Sequence, residues 1–566
     1  MSTLVRRATS GRRGQAVLAG SWLVPATCSV IALVCAGARY HPNADIALIE
    51  LHVRDVGSEE VLLGPYSRFG WSHPGPMLYY LLAVPYRLLG SSSAGIVVGS
   101  VLVNTGALVG ITAIGWRRGG PVVGALTFAL SGLMVRALGP QFLRDPWNPH
   151  LPLLPFALLV LTAWSLAVGK RWALPATGVL GSLVVQSHIG YAPVTVVVAV
   201  VAVLGFVRSR PTGWLAPAAL SCSVLGVLWL PPVLEQLLHQ PGNLRALVDY
   251  YSDDHATGGL AQGLRAVTLQ LGPAPEWLVG RRPVNAFTGA IELPSTSVPV
   301  AVLPAVLSGL LAKRRGWRDI TWLAALVAAL AVTAVVSVSR VVGDLLPYLT
   351  VWTWVVGLMA WLLVGATAAR WVGEVRPGVD RPLAFWSAVV GVVLLVVNSV
   401  AAARAGTPTG DESRIVGELA ADVRANLHDE VDVVHLQAEG SLSANSYADG
   451  LALQLERAGR RVEVGPEQDA KYGRHRVGCT GGAATLLVTV NEEVSASADD
   501  HDLELVGRAS ALPLAERDAR VRAVERARAS SSSAEELYRR VAALPRPGSE
   551  VAVYRGDPRR CGEPPA

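Results

Sequence analysis

Residues 383–403 read LAFWSAVVGVVLLVVNSVAAA, with no Asp, Glu, Lys or Arg between Arg381 and Arg404. As a helix rising 1.5 Å per residue, such a run spans roughly 30 Å, the thickness of a bilayer's hydrocarbon core. Lipid offers no partner to a peptide group, so a crossing segment must close its hydrogen bonds internally, as a helix does. Four more runs, 94–115, 151–168, 214–232 and 320–338, are equally free of charge. Over all 566 residues 51% are hydrophobic and 16% charged, against roughly 25% charged in soluble domains. The expected fold class is a polytopic α-helical membrane protein.

The formal charge is +6, and the only lysines are Lys170, Lys313 and Lys471. Arginine with abundant Ala, Val and Gly reflects codon usage in a GC-rich genome and carries no function. The basic residues do not interleave with aromatics in a patch, so nucleic acid is not an expected partner. Zinc-ligand spacing, a nucleophile elbow and a phosphate loop are all missing from the sequence.

The arginines set the expected topology, because basic clusters stay in the cytoplasm. Arg6, Arg7, Arg12 and Arg13 precede an apolar run from about 16 to 38. That run is too long for a signal-peptide core, although Ala36-Gly37-Ala38 resembles a cleavage site; we read an uncleaved first span. The next clusters are Arg117-Arg118, Lys170-Arg171, Arg208 with Arg210, Lys313 to Arg318, and Arg370 with Arg376 and Arg381. All fall on one side only if residues 76–90, PMLYYLLAVPYRLLG, do not cross. This segment is short and contains Pro85 and Arg87. It reads as a helix along the outer interface, with its tyrosines at headgroup depth.

Eleven spans follow: about 16–38, 94–115, 121–138, 151–168, 172–187, 190–207, 214–232, 298–312, 319–338, 345–367 and 383–403. The expected localisation is a multi-pass protein of a bacterial-type plasma membrane, N-terminus cytoplasmic and C-terminal region extracytoplasmic. Residues 1–403 form the transmembrane domain, with outer loops 39–93 and 233–297. Residues 404–566 form a soluble domain, joined through a linker at 404–412. Strand-like runs at 431–436, 461–464, 484–490 and 550–554 alternate with helical stretches at 411–426, 444–459 and 514–543, which predicts a small α/β domain. Cys28, Cys35 and Cys222 fall in spans and read as packing residues. Cys479 and Cys561 are a candidate disulfide if the tail is outside.

Polar residues concentrate in the first outer loop, among them Asp45, Glu50, His52, Arg54, Asp55, Arg68 and His73. On a helix over 45–55, Asp45, Ile49 and His52 share a face and Glu50 pairs with Arg54 at i,i+4. The structural alternative makes Glu50–Arg54 a stabilising pair and Asp45 a cap, but a lone carboxylate at the membrane edge asks for a reason.

The stretch from Asp45 to Asp145 resembles the polyprenyl-phosphate-sugar glycosyltransferases of the GT-C superfamily, a family-39-like group including protein O-mannosyltransferases and aminoarabinose transferases. That group carries an acidic residue just after the first span, then a His-Pro-Pro-like start to an interfacial helix, then an aspartate after the third span. Here these are Asp45, His73-Pro74-Gly75-Pro76 leading to Gly90, and Arg144-Asp145. The group's frequent Asp-Glu is Asp45-Ile46 here, so its second acidic role is absent or moved to Glu50.

The resemblance implies a sugar carried on polyprenyl phosphate in the outer leaflet, a glycan, lipid or protein acceptor, and membrane lipid as surroundings. Asp45 becomes the general base. Arg68, His73 and Arg340 become phosphate ligands, with Tyr348 completing the family's basic-plus-tyrosine segment. Asp145, His188 and Glu50 join the substrate side. Mannose and arabinose are the sugars expected, and transfer is inverting. No cofactor is expected; a divalent cation at Asp45, Glu50 and His73 is the alternative. Glu235, Asn243 and Arg245 are weaker candidates for the acceptor side, and Tyr250, Tyr251 and Trp277 for stacking on sugars. Two other classes stay open: a polytopic transporter or lipid flippase, and a non-catalytic envelope scaffold. The near absence of ionisable residues inside the spans argues against coupled transport.

Overall fold

The computed structural model describes residues 11–35, 40–282, 284, 289–427, 431–439, 442–480, 484–490, 503–511, 514–531, 533, 536–537, 540 and 550–556. In chain order its main helices are α1 (Gly11–Cys35), α2 (Ala44–Asp55), α3 (Met77–Leu88), α4 (Ser93–Leu138), α5 (Leu153–Ala167), α6 (Ala173–Ser187) and α7 (Ile189–Ser209). There follow α8 (Leu215–Leu238), α9 (Asn243–Ser252), α10 (Gly259–Gln270), α11 (Glu276–Val279), α12 (Val302–Arg314), α13 (Arg318–Ser339), α14 (Pro347–Val375) and α15 (Asp380–Arg404). The chain divides into two compact units, one of Met1–Cys35, Leu62–Pro85 and Val97–Ala405, the other of Ala36–Val61, Tyr86–Ile96 and Gly406–Ala566.

The first unit is a bundle of apolar helices. Among the described residues, α1, α4, α7, α8, α13, α14 and α15 are long and apolar enough to cross a membrane. The chain is a multi-pass membrane protein. Helix α4 leaves helical geometry at Gly119 and Gly120, where φ is 69° at Gly120 and Pro121 follows. It is therefore two helices meeting at a break, which separates the runs 94–115 and 121–138. Helices α5, α6 and α12 are apolar but shorter.

Its core is lined by Phe128, Phe156 and Trp164 against Leu323, Leu330, Val355 and Met359. Helix α8, by contrast, exposes Leu215, Leu220, Val227 and Leu230. An apolar helix left bare on most sides is one that lipid covers. Cys35 and Cys222 are also exposed, which corrects their reading as packing residues; thiols facing outward on apolar helices meet lipid instead. The basic clusters gather at one end of this unit. Arg370 pairs with Asp319 at 2.7 Å and lies 4.9 Å over the Trp317 ring, while Arg315 pairs with Glu374 at 3.6 Å. Arg171 hydrogen-bonds the Thr212 carbonyl at 3.1 Å.

Helix α3 forms where residues 76–90 predict one. Its tyrosines depart from expectation: Tyr79 and Tyr86 are buried, and Tyr80 alone of the three is exposed. The helix is packed along one side, and two of its tyrosines serve packing rather than headgroup contact.

The second unit is α/β. After α16 (Gly410–Asn426) come β1 (Val433–Ala438), α17 (Leu442–Arg457), β2 (Arg461–Glu463), β3 (Ala484–Val490), β4 (Glu504–Ser510), α18 (Leu514–Ser530) and β5 (Glu550–Gly556). The sheet order is β2-β1-β3-β5-β4, with β1 parallel to both neighbours and β5 antiparallel to both of its own. Strand β4 was not expected from sequence: ELVGRAS carries Gly507 at a register shift and no clean alternation. Helix α2 packs against α17. A Cβ on Gly450 would fall 2.9 Å from the Pro42 carbonyl, so only glycine admits the segment that leads into α2. Cys479 is disulfide-bonded; Cys561 lies outside the described residues.

Candidate functional site

The polar connections of the first unit meet at the end away from its basic clusters. After α4 the chain turns through Phe142–Arg144, and Asp145 starts a Pro-rich turn that cannot continue as helix. Asp145 accepts the Trp147 N–H at 2.9 Å through Oδ1, and its Oδ2 lies 2.6 Å from His150 Nδ1. The Arg281 guanidinium donates to His150 Nε2 at 3.1 Å. Arginine has no acceptor, so Nε2 must accept, which leaves the ring proton on Nδ1 to be donated to Asp145. The result is a fixed chain, Arg281 to His150 to Asp145. The carboxylates facing Arg281 are Asp145 and Glu276.

Glu276 is buried and anchors this arginine's loop. It accepts from Gln270 Nε2 at 2.7 Å and from Trp354 Nε1 at 3.2 Å. A Cβ on Gly357 would lie 2.2 Å from the Gln270 carbonyl, so α14 comes close enough to hold α10 and α11 in place. Arg281 itself remains exposed: one face of the fork is held, and the rest is open to a ligand. Tyr348 packs on Trp147, with ring centroids 5.1 Å apart, which puts it beside the same turn.

A second polar pair lies in the same unit. The His73 and His188 rings stand 4.5 Å apart. His73 Nδ1 accepts the Ile189 N–H and His188 Nδ1 accepts the Gly190 N–H, both at 3.1 Å. Each neutral ring then carries its proton on Nε2. Burial, with His188 adding to it, holds His73 well below the ordinary histidine range, so the pair acts as neutral donors. The loop before His73 is pinned by Asn243, whose side chain exchanges two hydrogen bonds with the Ser72 backbone at 2.7 and 2.8 Å. Arg68 lies 5.0 Å over Phe69 within that loop. Arg340 ends α13 and is exposed.

Asp45 and Glu50 belong to the second unit. Asp45 lies in the first turn of α2, half-buried, directly after Ala44 at a left-handed φ of 48°. Glu50 corrects an expectation: it has no exposed surface, and it pairs with Arg457 at 3.1 Å and accepts from Tyr86 OH at 3.2 Å. Arg54, expected to pair with it, lies 4.0 Å from Glu456 instead. Among the described residues no three His, Cys, Asp or Glu side chains gather as a metal site.

Sequence reasoning placed Asp145 at its turn and both histidines at helix ends. It missed Arg281, Glu276 and the role of His150. His150 had a signal, closing the same Asp-Pro-Trp-Asn-Pro-His turn; Arg281 had none beyond being a cation in the 233–297 loop.

No family model matches the chain, and no curated protein matches it. Solved structures do. ArnT from Cupriavidus metallidurans, in its apo state and bound to undecaprenyl phosphate, matches at 13% identity with a TM-score of 0.51 in each case, covering 88% of this chain and 97% of ArnT. The Archaeoglobus fulgidus oligosaccharyltransferase, in complex with zinc and sulfate, matches at 12% identity and a TM-score of 0.40, covering 83% of this chain and 67% of its own. The fold of this chain is ArnT-like.

Proposed function

We propose that the chain is a plasma-membrane glycosyltransferase that moves a sugar of the mannose or arabinose type from a polyprenyl-phosphate donor to an extracytoplasmic glycan, lipid or protein. The observation that carries this reading is the ArnT-like fold over 88% of the chain, in a protein whose relative of that fold was solved with undecaprenyl phosphate. The open guanidinium of Arg281, held on His150 and Asp145, adds a cation of the right kind.

In the proposed reaction the acceptor oxygen forms a bond to the anomeric carbon as the bond from that carbon to the phosphate oxygen breaks. The electron pair leaves with the phosphate, and the acceptor's proton goes to the Asp45 carboxylate. A single displacement inverts the anomeric centre. A positioned base contributes about 10²–10⁴-fold. The phosphate regains charge as it leaves, and a forked guanidinium meets two of its oxygens at once. Arg281 takes that role first, with Arg68, Arg340 and Tyr348 as further contacts. The Nε2 protons of His73 and His188 suit sugar hydroxyls or phosphate oxygens.

The topology we propose keeps the basic clusters in the cytoplasm and adds α5, α6, α12 and both halves of α4 to the crossings, eleven in all. Residues 404–566 then lie outside the cell. The test is binding of undecaprenyl phosphate to the purified chain, measured by native mass spectrometry. Wild type should hold one lipid, and Arg281→Ala should hold it more weakly; lack of binding by wild type would remove the reading.

A further inference from the structure

We infer that the α/β unit is the positioning frame of the proposed base and that Arg476 is its key positioning residue; this rests on the reading of Asp45 above. Helix α2 carries Asp45 in its first turn and has only 12 residues. So short a helix is marginal on its own in water, and its pose comes from what it packs on.

Along its length, α2 is held by polar side chains and backbone from residues 449–476. At its C-terminal end Asp55 meets the Arg476 guanidinium at 2.7 and 2.8 Å. The same guanidinium binds Glu456 at 2.5 and 2.9 Å and donates to the Tyr472 carbonyl at 2.7 Å. One turn earlier, His52 Nε2 lies 3.1 Å from the Lys471 carbonyl. Glu50 meets Arg457, which also donates to Ser93 Oγ at 3.0 Å. At the first turn a buried carboxylate of like charge, Asp449, faces Asp45 and is itself held by Lys471 at 2.7 Å and Tyr472 OH at 2.6 Å. The entry to the helix is fixed too: the His41 N–H donates to Ser413 Oγ at 2.9 Å, ahead of the left-handed Ala44.

Buried arginines cost desolvation and are poor investments for stability alone. Arg476, which is buried, and Arg457, which is half-buried, both end on one short helix. A left-handed non-glycine residue persists only where its surroundings over-determine it. These observations converge on holding the backbone beneath Asp45. Arg476 touches no reacting atom in this scheme; it acts through α2.

The test uses the full chain in proteoliposomes, with polyprenyl-phosphate mannose and arabinose as the donors supplied. The variants are Arg476→Lys, the milder Asp55→Asn, and, as a control, Arg414→Ala, which removes an exposed pair with Glu418. Turnover and amide hydrogen exchange are both measured. Arg476→Lys should lower kcat on the order of a hundredfold, the effect of an ångström-scale misplacement, with donor KM unchanged. Exchange should quicken over residues 44–55 in both clamp variants and stay at the wild-type rate in Arg414→Ala. Unchanged exchange of α2 in both clamp variants would overturn the inference, whatever the turnover. So would full kcat in Arg476→Lys when Asp45→Asn is inactive. Full activity in Asp45→Asn would instead remove the reading of the base.

Discussion

Asp55 and Arg476, 421 positions apart in the chain, meet in a two-pronged ion pair at 2.7 and 2.8 Å with both side chains buried. Removing one partner of such a pair strands the other charge, at a cost of about 3–5 kcal/mol. Arg476→Ala should therefore destabilise the α/β unit by about that much in pulse proteolysis of the detergent-solubilised chain. Arg414→Ala, which removes an exposed pair with Glu418, should stay within about 0.5 kcal/mol of wild type.

The same helix gives the α/β unit an acid sensitivity in two windows. Burial holds His52 down at about 4 against an ordinary 6.5, with Asp55 opposing. The unfolded chain takes up that proton near 6.5 and the folded one only near 4, so this contribution is full above 6.5 and fades as pH falls toward 4. Asp55 is pushed up by burial, but His475 and Arg476 outweigh that and hold it at about 2 against 3.8. Its contribution, roughly 2 kcal/mol, is full above 3.8 and fades as pH falls toward 2. Proteolysis of full-length chain from pH 7 to 2 should show both losses, with His52→Phe flattening the upper window and Asp55→Asn the lower.

The order of effects at Arg281 follows from its anchoring. Arg281→Ala should weaken undecaprenyl-phosphate binding about 10–100-fold, the range for losing hydrogen bonds to a charged group. Asp145→Ala and His150→Ala leave the guanidinium in place but untethered, so each should cost less than Arg281→Ala. Arg281→Lys should not restore full affinity, because a lysine cannot present the fork.

Gly75 stands where a side chain has no room. A Cβ there would fall 2.4 Å from Gln186 Oε1. Gln186 accepts the Met77 N–H at 3.3 Å and donates to the Leu228 carbonyl at 2.8 Å, so moving it disturbs the start of α3. Gly75→Ala should lower thermal stability by about 1–3 kcal/mol. Gly106→Ala, where a Cβ meets nothing within 4 Å, should be neutral or mildly stabilising in the same melt.

The membrane character was legible because uncharged runs such as 383–403 have few other uses for a chain. The helix α3 was legible from the apolar run at 76–90. The burial of Tyr79 and Tyr86 was not, since which side of a helix packs depends on neighbours far away in sequence. The site divides the same way. Asp145, His73 and His188 stood out as polar residues at the ends of apolar runs. Arg281 reaches His150 across 131 positions, a pairing that no local pattern encodes. Glu50 misled because i,i+4 spacing to Arg54 suggested a partner, while Arg457 lies about four hundred positions on.

Everything proposed for the chemistry passes through Asp45, and its direct test is turnover of labelled polyprenyl-phosphate mannose and arabinose in membranes carrying wild type or Asp45→Asn. Wild type should release free polyprenyl phosphate and label an acceptor, and Asp45→Asn, present in the membrane at the same level, should be slower by about 10²–10⁴-fold. Equal turnover by the two proteins would contradict the mechanism.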